Sequence, residues 1–202
     1  MSSEMSRTRT YELKQRAERQ QETRRRIVEA AVELHTTVGP SRTTVAAIAE
    51  RAGVTRPTVY AHFPDTRSLF EACSGLWLET TPPPDRDAWR SISDPARRLE
   101  SALRDLYAYY ERTERLLENV ERDAPAMPIV AEVDGLRLRY LEEARDLLLV
   151  GWPGRGAARA RTARAIGHAL EFGTWQSLVR RQRCSADEAA RLMLGLVRSA
   201  AS

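Results

Sequence analysis

Apolar residues recur at three- and four-residue steps along most of this chain, the period of helices buried on one side. From residue 24, Ile27, Ala30, Ala31, Leu34 and Val38 form one stripe, which Gly39-Pro40 ends because proline cannot continue the hydrogen-bond ladder. Residues 1–23 before it are charged on every side. They are expected to be either a solvated helical extension or a disordered basic arm carrying Arg7, Arg9, Lys14, Arg16 and Arg19. Val45, Ile48, Ala49 and Ala52 predict a helix of about two turns, capped by Thr43 or Thr44. Gly53 stops it, Val54 tucks into the turn, Thr55 caps the next helix, and Pro57 falls in that helix's first turn, where its missing N–H costs nothing. A fourth helix, capped by Asp65, is expected to reach about residue 79 and to link two domains, with Leu69, Phe70, Cys73, Leu76 and Trp77 on its buried side.

Pro82, Pro83 and Pro84 mark residues 80–95 as a loop, in which Trp89 is either a lid or a surface residue. Helical spacing resumes with Leu99, Leu103, Leu106, Tyr107 and Tyr110, continues in a second run through Leu116, Leu117 and Val120, and breaks at residues 124–128. A longer helix from about residue 129 reaches Val150 and stops at Gly151-Trp152-Pro153-Gly154. Residues 157–181 present two apolar faces. One holds Ala165, Ala169, Phe172, Gln176 and Val179; the other holds Ile166, Leu170, Gly173, Ser177 and Leu178. The closing helix, with Ser185 and Glu188 in capping-box spacing, carries a band of Ala189, Leu192, Met193, Leu196, Val197 and Ala200. A small domain cannot bury bands this broad within itself, so helices 157–181 and 186–200 are expected to pair with a second copy of the chain. The fold class is all-α.

Within residues 43–63, TTVAAIAERAGVTRPTVYAHF, three positions obey the packing rules of a helix-turn-helix. Ala49 lets the second helix approach, Gly53 takes the φ > 0 of the bend, and Val59 plugs the angle between the helices. Between these anchors Thr55, Arg56, Thr58, Tyr60 and His62 face outward, all able to exchange hydrogen bonds with phosphates or base edges, with the Pro57 backbone nearby. The alternative is a helical hairpin in an ordinary bundle, which would leave that polar face unexplained.

AGVTRPTVYAHFPDTRSLF resembles the DNA-binding domain of the TetR family of bacterial transcriptional regulators, and the likeness is specific over residues 24–70. The family often has lysine at the start of its fourth helix; this chain has Thr66 there and Arg67 one position on. The resemblance implies an N-terminal three-helix DNA-binding domain at 24–64 and a helical regulatory domain at 65–202 for ligand binding and dimerisation. It also implies a homodimer on palindromic double-stranded DNA, with half-sites about 34–36 Å apart. Arg56, Thr58, Tyr60 and His62, with Thr55 and Pro57, would read the major groove, while Thr43, Thr44 and Arg67 would hold phosphates. A small-molecule inducer would enter the bundle near Trp77, Tyr107, Tyr110, His168, Phe172 and Trp175, tilt the linking helix and release the operator. Each of those aromatic residues equally fits a plain core position.

Net charge sharpens this picture. Of the 32 Lys and Arg and 28 Asp and Glu, residues 1–64 hold 11 and 7, and residues 65–202 hold 21 of each, so the whole +4 lies in the N-terminal part. That asymmetry suits attraction to phosphates. Residues 1–21 are polar with no secretory signal, and no apolar run approaches the roughly 20 residues of a membrane span, so a cytoplasmic location is expected. Cys73 and Cys184 are expected to be free thiols, and His35, His62 and His168 complete no metal spacing. No nucleophile elbow, His-Glu-x-x-His or glycine-rich phosphate loop is present, so neither catalysis nor a cofactor is expected. The expected function is a ligand-responsive repressor; an architectural, non-responsive DNA binder is the alternative.

Overall fold

A computed structural model describes the backbone of residues 2–202 and side chains from residue 11 onward, with 81% of the chain helical and no strand among the described residues. Two compact units result, Met1–Thr81 and Pro82–Ser202.

The first unit contains α1 (Ser2–Thr37), a 3-10 turn (Pro40–Arg42), α2 (Val45–Ala52), α3 (Arg56–His62) and α4 (Thr66–Thr80). The segment left open as helix or disordered arm is therefore helical and continuous with the stripe that follows; the side chains of Arg7 and Arg9 lie outside the described residues. Ile27 and Ala31 are fully buried against Ile48, Ala49, Val59, Phe63, Leu69 and Phe70, all 6% exposed or less. The fourth helix packs on α1: the His35 and Phe70 ring centroids are 5.3 Å apart, and Cys73 Sγ lies 3.4 Å from His35 Nδ1. It thus completes the first unit's core, although the sequence boundary at residue 65 had placed it with the regulatory domain. Burial pushes the Cys73 thiol up to about 11, and both cysteines are free.

The second unit contains α5 (Arg86–Arg90), α6 (Pro95–Asp123), α7 (Pro128–Leu148), α8 (Gly156–Leu170), α9 (Phe172–Trp175), a π-helical segment (Gln176–Arg181) and α10 (Ala186–Ala201). The closing helix packs on α6 and α8, and α7 packs on the same two. Two expectations are corrected, at residues 80–95 and at residues 157–181. The stretch expected to be a loop contains α5, capped by Asp85, and Trp89 is neither lid nor surface: it is 1% exposed and its Nε1 donates to Asp105 Oδ2 at 2.8 Å. The two apolar runs between 99 and 120 lie on one helix of 29 residues that ends at Asp123, where the break at 124–128 was expected; no glycine or proline interrupts them, and Thr113 donates its hydroxyl to the Tyr109 carbonyl. The helix expected over 157–181 breaks at Glu171, whose ψ of 137° is extended. Ser185 and Glu188 form the reciprocal capping box that starts α10.

Candidate nucleic-acid interface

In the first unit the helix-turn-helix is closed by short-range bonds and held by two arginines of α1. Thr44 Oγ1 accepts the Ala47 N–H at 3.1 Å, opening α2. Gly53 is left-handed (φ 65°, ψ 41°), which lets its N–H reach Glu50 O and the Val54 N–H reach Ala49 O. Thr55 Oγ1 accepts the Thr58 N–H at 3.3 Å and shares a 2.8 Å hydrogen bond with Thr58 Oγ1. Val59 is 1% exposed, facing back into the angle. Arg26 Nε donates to Ala52 O at 3.1 Å and its Nη2 to Gly53 O at 3.0 Å, clamping the turn. Arg24 lies 4.0 Å over the Phe63 ring and donates to His62 O at 3.0 Å, clamping the far end of α3. These two arginines were not singled out from sequence; their only signal was a triple arginine run at the start of an apolar stripe.

With both ends of α3 fixed, its outer side chains are displayed on a rigid element. Arg56, Pro57 and Tyr60 are exposed, and neither Arg56 nor Tyr60 has a polar partner among the described residues. They stand four residues apart, on one side of the helix. Thr58 and His62 are half-buried. Thr44 and Thr55 are exposed but serve as caps. Thr43 is half-buried and its hydroxyl donates to Gly39 O at 2.8 Å, so it holds the preceding turn together. Arg67 is exposed, 3.6 Å from Glu71. The exposed Arg42, immediately before the α2 cap, adds a cation that the sequence reading passed over.

In the second unit Tyr107, Tyr110, Phe172 and Trp175 come together, all 1% exposed or less. Tyr110 lies 5.3 Å from Phe172 and 6.0 Å from Trp175, and the last two stack at 5.5 Å. The extended Glu171 interrupts the ladder around the Ala169 and Leu170 carbonyls: the Thr174 N–H, which a continuous helix would give to Leu170 O, bonds to Glu171 O instead. Tyr107 donates to Ala169 O at 2.9 Å and Tyr110 to Leu170 O at 2.6 Å. Burial raises the pKa of both hydroxyls, keeping them protonated donors. Buried Trp175 Nε1 and Arg137 Nη1 have no partner among the described residues. Arg137 is otherwise bound to Asp134 Oδ1 at 2.7 Å and Glu121 Oε1 at 3.3 Å, and burial holds the Glu121 carboxyl above its usual range in spite of that guanidinium. His168 is exposed, with Thr174 Oγ1 at 3.3 Å, outside the aromatic cluster; Trp77 is half-buried on α4 of the first unit. On the outer side of α10, Leu192 and Leu196 are 53% and 44% exposed, one turn apart.

Among the described residues no helix is long and apolar enough to cross a membrane, and no cluster of side chains is arranged for a metal ion. Residues 27–73 match the family model of bacterial regulatory proteins of the TetR family. An HTH-type transcriptional regulator of Mycobacterium tuberculosis is 54% identical over 44 residues, 22% of this chain and 23% of that protein. The class C tetracycline repressor protein of Escherichia coli is 31% identical over 129 residues, 60% of this chain and 54% of that protein. The chain thus matches about a quarter to a half of the length of these relatives. NalD, the secondary repressor of the MexAB-OprM multidrug efflux pump in Pseudomonas aeruginosa, has a solved structure 25% identical with a TM-score of 0.63, covering 91% of this chain and 97% of that one. These three are regulators by name, and none is an enzyme. Residues 27–73 thus place the N-terminal segment of the chain in the TetR family of bacterial regulatory proteins.

Proposed function

We propose that this protein is a transcriptional repressor that binds a palindromic operator as a homodimer and is released by a small molecule. The observation that carries the DNA reading is α3, which displays Arg56 and Tyr60 outward without partners while Thr55 caps its start and Arg24 grips its end. A helix held at both ends presents its side chains to base edges with little conformational freedom to lose. Phosphate contacts come from Thr44, Arg42 and Arg67 around it, and repression follows the naming of NalD and the class C relative as repressors. Dimerisation is supported by the exposed Leu192 and Leu196 on α10, an apolar strip that a two-fold partner would cover.

The effector reading rests on the second unit's core. A helix broken at Glu171 and continued in π-helical geometry is a packing with alternatives, and the unpartnered Trp175 Nε1 and Arg137 Nη1 are donors awaiting an acceptor. A ligand that satisfies them prefers one of two states of that bundle and shifts the population toward it.

Selection of sites from a random DNA pool by purified protein tests the reading. A palindromic winner bound by two copies is expected, and Arg56→Ala should cost about 1–3 kcal/mol on it while relaxing preference at one base pair. Uniform weakening on all sequences would reduce Arg56 to a phosphate contact. No enriched sequence, with affinity tracking salt alone, would replace the repressor by an architectural DNA binder.

A further inference from the structure

The helical extension ahead of the DNA-reading core has two chemically different sides. On one, charges neutralise each other: Lys14 pairs with Glu18 at 4.0 Å, and Arg25 with Glu22 and Glu29, both at 2.8 Å. The other side continues the stripe that packs the helix-turn-helix. Stepping back from Leu34 through Ala30 and Ile27 by fours and threes, the same helix row passes Thr23, Gln20 and Arg16, with Arg19 on the adjoining row. At Thr23 the apolar packing ends; Gln20, Arg19 and Arg16 are exposed, and neither arginine forms an ion pair among the described residues, Glu12 one turn away included. Arg24 and Arg26, on either flank of this row, hold α1 to the end of α3 and to the turn. The row therefore leaves the core on the side where those two elements lie.

We infer that this row is a phosphate rail: Arg16 and Arg19 of α1 grip the DNA backbone outside the half-site that α3 reads, an inference that rests on the operator reading above. An unpacked extension gains nothing in stability from two unpaired arginines on one side, whereas a polyanion alongside supplies the missing partner charge and releases counterions. The occupant is DNA because the row adjoins the elements that face it and because residues 1–64, which contain the row, hold 11 Lys and Arg against 7 Asp and Glu. Reach agrees: Arg16 precedes Arg24 by eight residues, about 12 Å of helix, or roughly three to four base pairs along a strand.

The test compares the full chain with Arg16→Ala/Arg19→Ala and Arg16→Lys/Arg19→Lys on the selected operator, once trimmed to its half-sites and once with about ten flanking base pairs on each side. Helix content by circular dichroism checks that all three fold alike. On the longer duplex the alanine variant should bind about tenfold more weakly at physiological salt, with a log–log salt slope shallower by about 1.8 per protomer, 0.9 for each phosphate lost. The lysine variant should keep the slope, and on the trimmed duplex the three should agree. Equal slopes and affinities for wild type and the alanine variant on the longer duplex would overturn the rail and leave the operator reading intact. Loss of sequence preference in the wild type itself would overturn both.

Discussion

Replacing Tyr110 by Phe removes one oxygen from the second unit and isolates the bond that supports its broken helix. The hydroxyl is 2.6 Å from Leu170 O, in a residue 1% exposed. Leu170 O has lost its helical donor, because the Thr174 N–H is already bonded to Glu171 O at 3.1 Å. The carbonyl would be left buried and unpaired, a cost of about 1–3 kcal/mol that removing the Tyr110 hydroxyl's own desolvation only partly offsets. At about 2 kcal/mol, a chain of this size should melt about 4–8 °C lower. Urea unfolding followed by tryptophan fluorescence is the assay, since Trp89, Trp152 and Trp175 all report on the second unit and Trp77 alone on the first. Tyr11→Phe, at a residue 62% exposed, is the control and should stay within about 0.5 kcal/mol. Tyr107→Phe should behave like Tyr110→Phe, and the double variant should be non-additive because the two carbonyls belong to one break. A Tyr110→Phe midpoint indistinguishable from wild type would refute the argument that these hydroxyls replace the interrupted ladder.

Gly53→Ala should destabilise the first unit by about 1–2 kcal/mol, read by urea unfolding at Trp77, because the backbone there is left-handed at φ 65°. The nearest foreign atom to an added Cβ is Arg26 Nη2 at 3.5 Å, an ordinary contact, so a much larger loss would mean the cost is steric after all. Alkaline stability should fall above about pH 10: burial raises the pKa of Tyr107, Tyr110 and Tyr140 above the ordinary value of 10, so the folded state holds their protons longer than the unfolded chain does. Their stabilisation is complete below pH 10 and is lost as pH rises toward their folded values; a phenolate absorbance titration in which all six tyrosines ionise together near pH 10 would contradict it.

The helix-turn-helix was legible in the sequence because every bond that defines it is local. Thr44 caps a residue three positions on, Thr55 does the same, and Gly53 needs only its own missing Cβ. The capping box at Ser185 and the cap at Asp65 were readable for the same reason. What the sequence left undetermined depends on partners distant along the chain. The break at Glu171 exists in the middle of a good helical pattern because a tyrosine 60 residues earlier supplies the donor that the ladder gives up. Trp89 is buried because Asp105, on another helix, accepts its N–H. Helix α4 joins the first unit because Phe70 and Cys73 meet His35 of α1. Residues 11–23 have no apolar stripe of their own; they are helical because α1 propagates through them from a packed segment, and adding a turn to an existing helix is far easier than nucleating one. Short-range capping and turn chemistry belonged to the sequence alone, whereas long-range pairing of buried polar groups was decided only when the tertiary fold brought them together.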